Sequence, residues 1–215
     1  PPLLVSQRRI LRDLLLAASR GPETEPPPVA STIVDRARSC PEAPAVREDE
    51  RVLTRGALDD WSARIAAALP RSGRGVVRTP AGAELAAAGL GVLRAGALCA
   101  AVDGGADRAR EAADQADVLG TTQERRALLG DPGAPVVCVD GELPAPAADS
   151  APAPDSAALV VRTSGVREAP RAHLLDHRTL STAAHRLPGG GEVLLSGDRS
   201  ADRRLLDLLT ALVAG

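Results

Sequence analysis

A mostly parallel, doubly wound α/β sheet flanked by helices is the fold class that this 215-residue sequence predicts. Three observations carry that expectation. From Pro44 onward, short strand-like runs alternate with helical patterns about ten to fifteen residues long, the signature of strand–helix–strand units. The runs Gly75-Val76-Val77 and Ala157 to Val161 are apolar throughout, as strands covered on both faces are. The chain is 44% hydrophobic and 25% charged, ordinary values for one globular domain with a real core and not for a disordered chain.

Each element follows in order. Leu3 to Ser19 reads as a helix, with Leu4, Ile10, Leu11, Leu14 and Leu15 at helical spacing and Gly21-Pro22 as its stop. Gly21 to Pro28 is a linker by composition, stiffened by three consecutive prolines. The spacing predicts a short helix over Ser31 to Arg38, capped by Ser31 or Thr32. Ala45-Val46-Arg47 and Arg51-Val52-Leu53 are strand candidates around Glu48-Asp49-Glu50, a solvated hairpin tip. Thr54 caps a helix through Leu69, with Leu58, Trp61, Ile65 and Leu69 on one face, and Trp61 is expected in the core or at its boundary. Strands are expected at Gly75 to Val77, Ala97 to Val102, Val118-Leu119 and Val136 to Val139. Helices are expected at Gly82 to Leu93, Arg108 to Gln115 and Thr121 to Leu129. Gly141 to Pro154 is a loop dense in Ala, Pro and Asp. Beyond it come the strand Ala157 to Val161, the segment His173 to His185, a Gly189-Gly190-Gly191 turn, a strand over Glu192 to Leu195 and a terminal helix over Ala201 to Val213.

Composition excludes several functions. The net charge is -2, which gives no electrostatic case for nucleic acid or an anionic membrane. Cys40, Cys99 and Cys138 are too few and too scattered for a disulfide scaffold or a zinc site. No apolar stretch approaches the roughly 20 residues of a membrane span. With no signal-peptide layout at Pro1-Pro2-Leu3-Leu4 and no initiating Met, a cytoplasmic chain cut from something longer is expected. The sequence lacks Phe, Tyr, Met, Lys and Asn and holds one tryptophan, Trp61, a bias that points to a GC-rich gene, as in a high-GC bacterium. The core must therefore be built from Leu, Val and Ala, which predicts modest stability.

Five segments in order resemble the N-terminal half of a nonribosomal peptide synthetase adenylation domain, of the AMP-forming acyl-adenylate ligase superfamily. Cys40-Pro41-Glu42-Ala43-Pro44-Ala45-Val46 is similar to the family's TPDAPAV opening. Leu53-Thr54-Arg55-Gly56-Ala57-Leu58 resembles LTYxEL, with Arg55 in place of the aromatic. Val92-Leu93-Arg94-Ala95-Gly96-Ala97, with Ala101-Val102-Asp103, looks like VLKAGAAYVPVD. Thr163-Ser164-Gly165 opens what should be the phosphate loop, and His177-Arg178-Thr179-Leu180 matches the SHRNL that follows it. The resemblance spans roughly Val29 to Gly215. It implies the large N-terminal subdomain of adenylation enzymes, truncated, over residues 29–215. Residues 1–28 would be an N-terminal helix and interdomain linker.

The match breaks at the phosphate loop. The family pattern TSGSTGxPKG reads here Thr163-Ser164-Gly165-Val166-Arg167-Glu168-Ala169-Pro170-Arg171-Ala172. Such a loop works because glycines and hydroxyl residues let backbone N–H groups wrap the ATP phosphates. Glu168 places a carboxylate where phosphate oxygens would lie, and like charges at about 4 Å cost several kcal/mol at an effective dielectric near 20. Glu168 and Ala172 carry Cβ atoms where the family has glycine. Arg171 keeps the charge of the family lysine but not its point-like shape. The resemblance also implies a catalytic lysine from a small C-terminal subdomain, and this chain has no lysine. The expectation is a degenerate, truncated adenylation domain with no catalytic residue, whose phosphate loop is marked by Thr163, Ser164, Gly165, Glu168 and Arg171. It would serve as a structural or docking element beside condensation or cyclisation, carrier-protein or oxidase domains of an assembly line. No cofactor is expected. The alternative is the first half of an active amino-acid-activating domain with a divergent loop, which would use ATP and Mg.

Other constellations carry less. His173 and His177 at one helical turn could pair on a metal, but HLLDH lacks the Glu of H-E-x-x-H and a third ligand, so no metal site is expected. Asp103-Gly104-Gly105 and Gly189-Gly190-Gly191 are turn chemistry. Cys99 and Cys138 sit in predicted strands and are expected to be buried and inert. Asp202-Arg203-Arg204 reads as the solvated start of a helix.

Overall fold

The computed structural model describes residues 26–71, 73–104, 112–146, 148, 152–162, 172–186 and 199–215. The expected N-terminal helix, the first half of the helix over Arg108 to Gln115, the phosphate loop, the Gly189 to Gly191 turn and the strand over Glu192 to Leu195 lie outside those residues.

Helix α1 (Val29–Ser39) starts two residues earlier than its expected Ser31 boundary. Neither Ser31 nor Thr32 caps it. The helix comes directly off Pro28, whose carbonyl accepts from the Thr32 N–H at 3.0 Å. Val29, Ala30, Ile33, Val34 and Ala37 are buried, so the apolar stripe extends back to the proline run, whose fixed φ suits helix entry. Strands β1 (Pro44–Glu48) and β2 (Arg51–Thr54) form the expected antiparallel hairpin. Asp49 turns it with φ +50, a left-handed position that aspartate tolerates. Helix α2 (Arg55–Ala68) is capped as expected, the Thr54 hydroxyl accepting from the Ala57 N–H at 3.2 Å. Leu58 and Ile65 are buried on its inner face. Trp61 lies at the boundary and donates through Nε1 to the Val139 carbonyl at 2.7 Å.

The main sheet begins with β3 (Arg74–Arg78), followed by α3 (Ala83–Arg94), β4 (Leu98–Ala101) and β5 (Val118–Thr121). Then come α4 (Gln123–Ala127), β6 (Val136–Cys138), β7 (Ala157–Arg162), β8 (Ala172–Asp176), α5 (His177–His185) and α6 (Ala201–Ala214). The strand order is β6-β5-β3-β4-β7-β8. All neighbours are parallel except β7 and β8, which pair antiparallel. The sheet is therefore mixed but mostly parallel, with helices packed on it, as the alternating pattern predicts.

Both faces are covered. Val77 belongs to a large cluster with Leu85, Leu90, Leu93, Leu159, Leu205 and Leu209. Its neighbour Val76 points the other way, into a smaller cluster with Val102, Ala113, Leu119 and Leu129. With Trp61 the lone aromatic, the core is filled by close helix approach: a Cβ on Gly89 would lie 2.3 Å from Leu205 Cδ1, and one on Gly91 2.6 Å from Ile65 Cγ2. Small residues in α3 thus let α2 and α6 pack against it at short range.

Candidate functional site at the carboxyl edge of the sheet

Strands β3, β4, β5 and β7 run parallel, so their carboxyl ends share one edge of the sheet. The register places Arg78 beside Thr121, Val77 beside Ala101, and Ala100 beside Val160. Next in sequence after β3 is β4 on one side, while β5 is followed by β6 on the other, so the chain diverges between β3 and β5. A second divergence lies between β4 and β7. Open α/β sheets take ligands in crevices of this kind.

The β4–β7 crest is built from charges. Asp103, two residues past β4, accepts from the Ala201 N–H at the start of α6 and from Arg204 Nη2, the latter at 2.5 Å. Asp202 accepts from the backbone N–H of Arg162, the last residue of β7, and from the Arg203 N–H at 2.9 Å. One turn on, Asp207 accepts from Arg199 Nη1 at 2.6 Å and lies 3.4 Å from Arg203 Nε. Burial pushes the Asp207 carboxyl above its ordinary range, and Arg203 and Arg199 oppose that push. The expectation of a solvated Asp202-Arg203-Arg204 is therefore wrong: these residues are 2%, 6% and 8% exposed. Helix α6 is buried from Ala201 through Leu209 on every side, and carboxylate–guanidinium pairing is what makes charges tolerable there. The sequence carries no such signal: at about 100° per residue Leu205, Leu206, Leu208 and Leu209 span about 160° of the helix, an ordinary one-sided stripe.

The β3–β5 crest is also polar. Thr121 Oγ1 donates to the Arg78 carbonyl at 2.8 Å, and Thr122 caps α4 by accepting from the Arg125 N–H at 3.4 Å. Arg78 donates through Nε and Nη2 to the Gly104 carbonyl at 3.4 and 3.1 Å. Gly104 takes φ +106, which its lack of a Cβ permits. Asp103-Gly104 thus turns the chain as expected, and its carboxylate and carbonyl tie β4 to α6 and to β3.

Thr163, Ser164, Gly165, Glu168 and Arg171 lie outside the described residues. Their flanks are on the page. Strands β7 and β8 pair as far as Arg162 and Ala172, so the two residues that flank segment 163–171 are neighbours in the sheet, at the end anchored by Asp202. The two histidines do not share a helical face: His173 is on β8 and His177 is the first residue of α5. The helix is capped by Asp176, which accepts from the Thr179 N–H at 2.6 Å. His177 is buried, and burial holds its imidazole below the ordinary histidine range against the pull of Asp176. No group of three or more metal-ligating side chains occurs among the described residues. Cys99 is fully buried and its thiol is pushed up to about 12, which makes it inert as expected. Cys138 is only half-buried, because β6 is the outer strand. A separate cavity of about 330 Å³ lies among Arg38, Asp59, Asp60, Arg94 and Pro146. There Arg94 Nη1 meets Asp59 Oδ1 at 2.6 Å, beside the carboxyl end of α3 and away from the strand-end crest.

No family model matches the chain. The chain is 32% identical over 209 residues to a probable non-canonical nonribosomal peptide synthetase, CymA, of Salinispora arenicola (strain CNS-205); the match covers 90% of this chain and 2% of that protein. Among solved structures, the fold matches the nonribosomal peptide synthetase FmoA3 (S1046A) with a TM-score of 0.64 and 24% identity, over 82% of this chain and 20% of that one. It matches the N-terminal subdomain of Klebsiella oxytoca NpsA with a TM-score of 0.67 and 19% identity, over 86% of this chain and 53% of that one. The architecture is that of the N-terminal subdomain of adenylation enzymes. The five ordered motifs, the sequence relative and the shared fold together support a partial adenylation domain of the nonribosomal peptide synthetase kind. The chain spans a small part of the curated relative it matches. Among the described residues, no helix is long and apolar enough to cross a membrane.

Proposed function

We propose that this chain is the first half of an adenylation domain that activates no amino acid and acts as a structural or docking element in a peptide-synthetase assembly line. The reading rests on one observation: segment 163–171 carries Val166, Arg167 and Glu168 where a triphosphate cradle needs small hydroxyl residues and glycine. The geometry of the flanks supports it. The end of β7 is tied to Asp202, and the start of α6, whose N–H groups would favour an anion, is already met by Asp103. The edge where phosphate would approach is lined by carboxylates that serve the protein itself. Arg171, at the lysine position, keeps the charge alone.

Partners follow from this role. The chain would sit between condensation or cyclisation, carrier-protein or oxidase domains of the same polypeptide, in the cytoplasm, with the substrate loaded by another module. Pyrophosphate exchange on the intact parent polypeptide tests the reading. No exchange with any amino acid is expected. Exchange with even one amino acid, lost on mutation of Arg171, overturns it in favour of an active domain with a divergent loop.

A further inference from the structure

We propose that the crest between β3 and β5 binds a phosphate oxyanion between Arg78 and Arg125, apart from segment 163–171. Arg78 ends β3 on the face of the smaller core, since side chains alternate and Val76 lies on that face. It is 6% exposed. Nε and Nη2 share one carbonyl acceptor, on Gly104, and Nη1 has no hydrogen-bond partner among the described residues. A guanidinium does not shed its proton in a protein, and an interior charge served by one carbonyl is costly.

A second arginine is carried by the same crest. Arg78 is level with Thr121 in the sheet, and the next residue, Thr122, caps the turn that carries Arg125. After burial, the charge of Arg125 is what pulls Arg78 below its ordinary value. The neighbouring carboxylates are committed elsewhere. Asp103 serves Ala201 and Arg204, and Asp140 accepts from the Gln123 N–H at 2.8 Å. Among the described residues, no ion pair joins Glu124 to either arginine. Two planar forks, neither paired with a carboxylate among the described residues, suit the oxygens of a phosphate, free or as a monoester. Gly104, whose carbonyl holds Arg78, is exposed, so the crest meets solvent beside that guanidinium.

Thermal melts of the whole chain in potassium phosphate, against potassium chloride at matched ionic strength and pH, test the proposal. Phosphate is expected to raise the melting temperature saturably above chloride. R125Q weakens the apparent affinity about tenfold, the loss of one charge-assisted hydrogen bond. R78K, which keeps the charge without the fork, also binds more weakly, and R171Q binds as the unmodified chain does. Glycerol 1-phosphate separates the two sources: binding tighter than inorganic phosphate identifies an ester, weaker binding the free ion. A shift no larger than that of chloride, or an undiminished response in R125Q, overturns the proposal. Loss of the response in R171Q also overturns it, by placing the anion at segment 163–171 and contradicting the functional reading instead.

Discussion

Replacing Gly91 by alanine pits two effects of known size against each other. Gly91 lies in the middle of α3, where alanine is favoured over glycine by about 1 kcal/mol. In an open helix the substitution would stabilise. Here the new Cβ would sit 2.6 Å from Ile65 Cγ2, 2.9 Å from Ile65 Cβ and 3.1 Å from the Ser62 carbonyl oxygen. Two of those three atoms cannot swing away: one is backbone, the other the branch point of a stiff side chain. Relief requires α2 to move off α3, and overpacking of this kind costs about 1–3 kcal/mol. The net expectation is a loss of about 1–2 kcal/mol, or about 3–6 °C in melting temperature for a chain of this length. Circular dichroism melts and urea titrations with an unchanged slope would report it. Gly89→Ala is the internal comparison, because its nearest contact is the terminal methyl of Leu205; it is expected to cost less. A G91A chain as stable as the parent would refute the close-packing account of this aromatic-poor core.

Three further outcomes are expected. In the folded chain, Ellman's reagent should label Cys40 fast and Cys138 slowly, and reach Cys99 only on unfolding, since burial holds that thiol up at about 12. Asp103→Ala should destabilise by about 1–3 kcal/mol, removing the cap of α6 and the partner of Arg204 together; Asp103→Asn, which keeps an acceptor oxygen, should cost less in the same urea titration. His177 titrates below its ordinary value in the folded chain. Above about pH 6.5 it is neutral in both states and contributes nothing; as pH falls below that, the unfolded chain takes a proton that the folded one resists, and stability drops. H177Q should flatten that fall between pH 7.5 and 5.5 in denaturant titrations, and an unchanged slope would assign it to other groups.

Local signals predicted local structure well. Thr54 three residues ahead of an apolar periodicity gave the start of α2, and the Val runs placed β3, β5, β6 and β7 within a residue or two. Signals that depend on tertiary burial were misleading. Ser31 and Thr32 are good capping types, but the burial of Val29 and Ala30 moved the helix start past them. Two histidines four apart suggested a helical face, yet a strand-to-helix junction falls between them at Asp176. Asp202-Arg203-Arg204 has the composition of a surface, and only the pairing with Asp103, Asp207 and the end of β7 makes it interior. Arg78 gave no sequence signal, because its burial and its single carbonyl acceptor depend on the tertiary fold. The altered phosphate loop was legible as chemistry from residue types alone.

The account stands on the claim that segment 163–171 no longer lodges a nucleotide triphosphate. Calorimetric titration of the chain with ATP and magnesium, beside its R171Q variant, addresses it directly. The expected result is no Arg171-dependent binding tighter than about 10 μM. A tighter isotherm that vanishes in R171Q contradicts the claim and restores the loop to an active role.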